Sequence, residues 1–263
     1  MGNSVRPSHA QIRVDEEGIA TLTVTNAKSM NILGTPVIQD LVDALAQLRT
    51  RENLRALVLR GTGDKAFIGG ADIHEMADFD TESAEAFISR LRDLCDALRE
   101  FPVPVITRIS GWCLGGGLEV ALSCDLRIGA DTSQYGMPEV KVGIPSVIHA
   151  ALLPRLLGGS RAAWLLLTGD TVDAATAYEW GLIQKLVPAS GIDAAVAHTA
   201  RALAALGPDV IRQQKRLLRS WEDLPLVQAI DESVDAFGHA FSTGEPQKYM
   251  NEFKNRKRED RSS

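Results

Sequence analysis

The chain has 263 residues, 45% of them apolar and 24% charged, with a formal net charge of −6; that is the balance of an ordinary globular protein, long enough for one large domain or a domain with a small appendage. The negative charge argues against a general nucleic-acid binder, and no apolar run reaches membrane-spanning length. Residues 1–10 hold no hydrophobic signal core, so a cytoplasmic protein with no nucleic-acid or membrane partner is expected.

Residues 11–14 and 20–24 read as paired strands around the turn 15–18, with Ala20, Leu22 and Val24 alternating against Thr21 and Thr23. A polar loop, 26–31, leads to Thr35-Pro36, an N-cap followed by proline at the first helical position. Val37, Ile38, Leu41, Val42, Leu45 and Leu48 give the helix beyond it an apolar face. Residues 56–60 form a buried strand, and 66–68 resume extended chain that runs into Gly69-Gly70-Ala71-Asp72, with Asp72 placed to cap a helix from Ile73. A longer helix over 81–100 buries Phe87, Ile88, Leu91, Leu94 and Leu98 and is stopped by Pro102 and Pro104.

The run 104–109 is a further strand, followed by Gly111, by Gly115-Gly116-Gly117, and then by Leu118, Ala121 and Leu122 at helical spacing. Strand, glycine turn and helix start in that order leave N–H groups without helical partners at the positive end of a helix dipole, where an anion or a developing oxyanion is favoured. Glu119 sits in the first turn of the same helix. The features equally suit glycines chosen for tight packing and a carboxylate complementing the dipole, and both readings stand on the residues alone. Residues 125–129 form a short strand, and 134–139 an irregular turn that leaves Glu139 flanked by Met137, Pro138 and Val140; a loop carboxylate ordinarily faces solvent, and this apolar collar opens the reading of a pocket beside that one.

Helices are expected over 146–157, 161–168 and 173–180, the last with Asp173 as N-cap and Gly181 as C-cap, followed by a strand within 182–187. Beyond 192 the chain reads as helix, broken at Gly207-Pro208 and Pro225, and ends in a basic run, 254–258. Strands alternating with helices argue for an α/β protein, divided into a core over 1–195 and a helical region over 196–263. Cys95, Cys113 and Cys124 lack metal-ligand spacing and read as buried thiols of a reducing compartment. The five histidines are scattered, so no metal site is expected. No nucleophile elbow, phosphate-binding P-loop or dinucleotide fingerprint is present.

The stretches 67–73, 111–119, 137–139 and 167–170, in this order and at these separations, resemble the landmarks of the crotonase superfamily, most of all its enoyl-CoA hydratases. The resemblance runs from Val24 to about Arg258. It implies a crotonase-like spiral of ββα units with a C-terminal helical trimerisation region, assembled as a trimer or dimer of trimers. The implied substrate is an acyl-CoA thioester, with no cofactor beyond the coenzyme A it carries. By resemblance, the main-chain N–H groups of Ala71 and Gly116 form an oxyanion hole, Glu119 helps activate water and Glu139 donates to C2. Ala71, Asp72, Ile73 and His74 line the CoA and acyl path, Ala27 and Lys28 pass the adenine, and Phe253 and Arg256 reach the nucleotide from an adjacent subunit.

Three departures are visible. His74 stands where a Lys is frequent, Arg256 stands in for a Lys, and the segment 143–149 replaces a glycine-rich loop. Val147 and Ile148 either shape the acyl end of the pocket or belong to the buried face of a helix, and His149 is expected to be structural. The expected activity is hydration of a trans-2-enoyl-CoA. Isomerase and aromatic hydratase-lyase activities of the same superfamily are the alternatives, and a non-catalytic acyl-CoA-binding scaffold is the reading from a different class.

Overall fold

The computed structural model describes residues 8–259, with side chains described through 255. The expectation drawn from the first residues therefore lies largely outside the described residues, as does the Arg256 side chain. The chain forms two compact units, Met1–Arg201 and Ala202–Ser263. This division and the one expected at 195 both fall within a single helix, Ile192–Ala204.

The strands are β1 (Ala10–Val14), β2 (Ile19–Val24), β3 (Ala56–Gly61), β4 (Ala66–Ile68), β5 (Val105–Ile109), β6 (Trp112–Leu114), β7 (Leu126–Ala130), β8 (Gln134–Gly136), β9 (Thr171–Asp173) and β10 (Lys185–Val187). A large sheet has the order β1-β2-β3-β5-β7-β10 and a small one the order β4-β6-β8-β9. The chain thus visits the large sheet and then the small sheet in turn: β3 then β4, β5 then β6, β7 then β8. All pairings are parallel except β1 with β2 and β8 with β9. This is the expected ββα spiral. Residue type explains the order of the large sheet. Central β5 is buried at every position and β3 at nearly every one, as strands covered on both faces must be, while edge strand β1 alternates between half-buried and exposed.

Helices α1 (Thr35–Arg49), α2 (Ile73–Met76), α3 (Thr81–Arg99), α4 (Gly116–Leu122), α5 (Leu153–Leu157), α6 (Gly159–Thr168), α7 (Ala174–Glu179) and α8 (Ile192–Ala204) complete the first unit. The second consists of α9 (Pro208–Asp223), α10 (Leu226–Ala240) and α11 (Glu245–Glu259). Cys95, Cys113 and Cys124 are buried and form no disulfide. Among the described residues no helix is long and apolar enough to cross a membrane.

The structure corrects several local expectations. Gly34, not Thr35, is the N-cap of α1; the Thr35 N–H donates to Glu75 Oε2 at 2.9 Å, and its hydroxyl to Oε1 of the same carboxylate. Tertiary partners thus displace a local cap. The stretch expected as irregular around Glu139 is β8 followed by a 3-10 turn, Pro138–Val142. β6 and β9 were not expected at all, because three residues carry no measurable period and such strands exist through their pairing. The single helix expected over 146–157 is a 3-10 stretch, Ile148–Leu152, running into α5. In the second unit an additional break precedes α11, where Gly244 takes φ +79°.

Candidate active site

The site begins at the glycine turn between β6 and α4. Gly115 takes φ +51° and ψ −126°, a region closed to side chains. Its N–H donates to Gly136 O at 2.9 Å, pinning the turn to the end of β8, while its carbonyl accepts from Leu118 and Glu119 and starts α4. A Cβ on Gly117 would lie 2.3 Å from Ile68 O, so α4 rests directly on β4. Gly117 thus serves packing, while Gly116 presents a first-turn N–H with no acceptor among the described residues.

The second glycine turn follows β4. Gly70 takes φ +116°. Leu33 N–H donates to Gly70 O at 2.9 Å, and Asp72 N–H donates to Leu33 O at 3.0 Å, so the bridge skips the Ala71 N–H. Asp72 caps α2 by accepting from His74 N at 3.2 Å and pairs with Lys28 Nζ at 2.5 Å. The hydrogen bond from Lys28 holds the Asp72 carboxyl below its ordinary range.

Glu119 is 3% exposed, and its Oε1 accepts from Ala150 N–H at 3.0 Å. Burial pushes its pKa up to about 8, opposed by that N–H and reinforced by nearby Glu139. Glu139 stands on the 3-10 turn after β8. Its Oε2 accepts from Ser146 Oγ at 2.9 Å, and burial raises its pKa as well. Ala71, Gly116, Glu119 and Glu139 line one apolar cavity of about 260 Å³ with Met76, Phe79, Phe87, Leu91 and Val147. A neighbouring cavity of about 190 Å³, which also touches Ala71 and Glu139, is lined by Gly70, Ile73 and Gly115.

Two glycine turns and two carboxyls with raised pKa values around one apolar cavity suit acid–base chemistry on a carbonyl compound. The model of the family described as enoyl-CoA hydratase/isomerase matches residues 15–261. The chain belongs to the enoyl-CoA hydratase/isomerase family, within the crotonase superfamily. It is 31% identical over 239 residues to a crotonyl-CoA hydratase of Syntrophomonas wolfei, covering 90% of this chain and 92% of that one. It is 36% identical over 208 residues to the mitochondrial enoyl-CoA hydratase domain-containing protein 2 of Mus musculus, covering 75% of this chain and 70% of that one. The crystal structure of an enoyl-CoA hydratase from Bacillus anthracis superimposes with a TM-score of 0.90 at 28% identity, covering 94% of this chain and 96% of that chain.

For a member of the enoyl-CoA hydratase/isomerase family, the expected site residues fall into three groups. Ala71, Gly116, Glu119 and Glu139 meet at one cavity. Ile73, Asp72, Lys28 and His74 surround the start of α2, with Ile73 59% exposed and Lys28 tied to Asp72. Ala27 is buried and its carbonyl accepts from Ile32 N–H at 2.7 Å. Phe253 belongs to α11 of the second unit and is exposed. The landmark 167–170 proves to be a brace: Gly169 ends α6 at φ +66°, and Asp170 pairs at 2.9 Å with Lys141, which shares the turn of Glu139.

Sequence reasoning missed Ser146 and the Ala150 N–H, which grip the two carboxyls, and Glu75, which joins α2 to α1. No local signal marks these contacts, because each partner lies elsewhere in the chain. Val147 lines the cavity whereas Ile148 packs against the core. His149 Nε2 lies 3.1 Å from Asp96 Oδ1 on α3, a tie that suits the structural part expected for it.

Proposed function

We propose that the protein is an enoyl-CoA hydratase, adding water in the syn sense across the α,β double bond of a trans-2-enoyl-CoA. The observation that carries this reading is that a buried carboxyl, Glu119, and a half-buried one, Glu139, both with raised pKa values, line the same cavity as Ala71 and Gly116. The N–H groups of these two residues would donate to the thioester oxygen between them and hold the enolate charge that forms there; loss of one such donor typically costs about 3 kcal/mol. Polarisation makes C3 electrophilic. Attack of water at C3 then requires one proton to leave the water and one to reach C2, which a pair of carboxyls holding a single proton supplies.

Burial bears on the roles. Glu119 is the more buried carboxyl and its pKa is pushed up to about 8, while burial raises that of Glu139 as well, and the resemblance assigns donation to C2 to Glu139. We therefore treat the pair as one acid/base unit whose titration belongs to both residues. An isomerase moves a proton with one base and has no need of the second carboxyl. A binding-only scaffold would carry the desolvation cost of both without return. Main-chain groups from Ala71 to His74, with Ala27 and Lys28, would hold the coenzyme A portion, aided by Phe253 and Arg256 of a neighbouring subunit. The reaction calls for no further cofactor.

Incubation with crotonyl-CoA, followed by mass spectrometry, tests the proposal. A gain of one water supports hydration, an unchanged mass with double-bond migration from a 3-enoyl-CoA supports isomerisation, and bound but unaltered thioester supports the scaffold.

A further inference from the structure

The segment after Glu139 is unusual in path as well as in composition. Val147 is extended, and Ile148 takes φ +39°, a region β-branched residues strongly avoid. The bend brings two residues of one short stretch onto the two carboxyls: Ser146 Oγ donates to Glu139 Oε2 at 2.9 Å, and Ala150 N–H donates to Glu119 Oε1 at 3.0 Å. Backbone outliers of this kind persist where surrounding contacts over-determine them. On its other side the Glu139 carboxyl rests against the glycine turn, so close that a Cβ on Gly115 would stand 2.3 Å from Oε1. The carboxyl is thus held between a bare Cα and a hydroxyl. The 3-10 stretch beyond has Val147 as its N-cap, without a side-chain bond, so the Ser146 hydroxyl is not engaged in capping.

The two donors differ in kind. A main-chain N–H only donates, so Ala150 favours the ionised form of Glu119. A hydroxyl donates and accepts and rotates to suit its partner. Ser146 can therefore donate to Glu139 when that group is a carboxylate and accept from it when it is an acid. We propose that Ser146 is the positioning residue of Glu139, holding its carboxyl at the cavity in both protonation states through turnover. The role in turnover rests on the hydratase reading; the hold on Glu139 does not.

The test uses the full chain with Ser146→Ala, Ser146→Gly and Ser146→Thr. Carbon-13 NMR of the glutamate carboxyls, with the Glu139 signal assigned by its loss in Glu139→Gln, reads titration without turnover. The pH profile of kcat/KM on crotonyl-CoA reads the same group in catalysis. Loss of the hydroxyl in the Ala and Gly variants should raise the Glu139 midpoint, move upward with it the limb of the profile that Glu139 sets, and lower kcat about 10- to 100-fold, the scale of one lost hydrogen bond to a charged group. Thr should restore all three. Ser146 is half-buried, and thermal melts of all three variants check that each folds. A Glu139 midpoint that does not move in Ser146→Ala overturns the proposal. So does a fall in kcat that Thr does not rescue and that leaves the pH profile in place, since that is a packing effect. A midpoint that moves in a protein that never hydrates crotonyl-CoA or any longer enoyl-CoA supports the hold on Glu139 and sinks the hydratase reading.

Discussion

Glu119 has one main-chain donor and almost no solvent, and its behaviour with pH follows from that. Its folded-state pKa of about 8 lies above the ordinary 4.5, so the folded protein binds the proton more tightly than the unfolded chain does. The stability this adds is full below about 4.5 and is lost as pH rises through about 8. We expect the urea midpoint to fall across that window, and Glu119→Gln, neutral throughout, to flatten the fall; an unchanged slope in the variant would locate the effect elsewhere. In catalysis, Glu119→Gln and Glu139→Gln should each lower kcat by about 10²–10⁴. The double variant should be little worse than the poorer single, as for groups that act together. Single-turnover hydration measures this, and fully additive losses would break the pairing.

At the level of elements, the β6–α4 junction separates packing from chemistry one residue at a time. A Cβ on Gly117 meets the Ile68 carbonyl oxygen at 2.3 Å, and backbone yields poorly, so Gly117→Ala should cost about 1–3 kcal/mol of stability in urea unfolding. A Cβ on Gly116 meets only the end of the Leu91 side chain, at 2.9 Å, so Gly116→Ala should be milder. Gly116→Pro removes the proposed oxyanion donor and should abolish turnover. Circular dichroism must show an intact fold for that result to count, and a folded, fully active Gly116→Pro would exclude the assigned donor. In the 3-10 segment, Val147→Gly should change the relative kcat/KM for short, long and aromatic enoyl-CoA substrates, because Val147 lines the cavity. Ile148→Gly exchanges core packing for relief at φ +39° and should alter stability without altering preference. Equal changes for all substrates in Val147→Gly would make that position packing too.

For the whole molecule, the telling surface is α10. Leu226, Val227, Ile230, Val234 and Phe237 are each 58–75% exposed on this one helix, and clustered exposed apolar side chains of this kind mark a surface that a partner covers. We expect light scattering to report a trimer or a larger assembly, and Val234→Glu with Phe237→Glu to shift it toward smaller species. A stable, fully active wild-type monomer would remove both the assembly and the contribution of Phe253 and Arg256 from a neighbouring subunit.

The sequence by itself determined the elements whose residues carry their own signal. Long apolar runs marked β3 and β5, a 3.6-residue period marked α1 and α3, and Asp72 and Asp173 marked helix starts that their side chains do cap. Glycine clusters after strands marked both turns of the site, and with them Glu119 and Glu139 as the carboxyls to examine. Only the tertiary structure decided what depends on partners far along the chain. β6, β8 and β9 are too short to show a period and become strands by pairing. Thr35 gives up a cap position because the Glu75 carboxylate is within reach. Ser146 and Ala150 acquire their meaning from carboxyls 7 and 31 residues away in sequence, and the raised pKa of Glu119 comes from burial. Periodicity and propensity are local properties of a chain, whereas desolvation and hydrogen-bond partners are set by what the fold places around a residue.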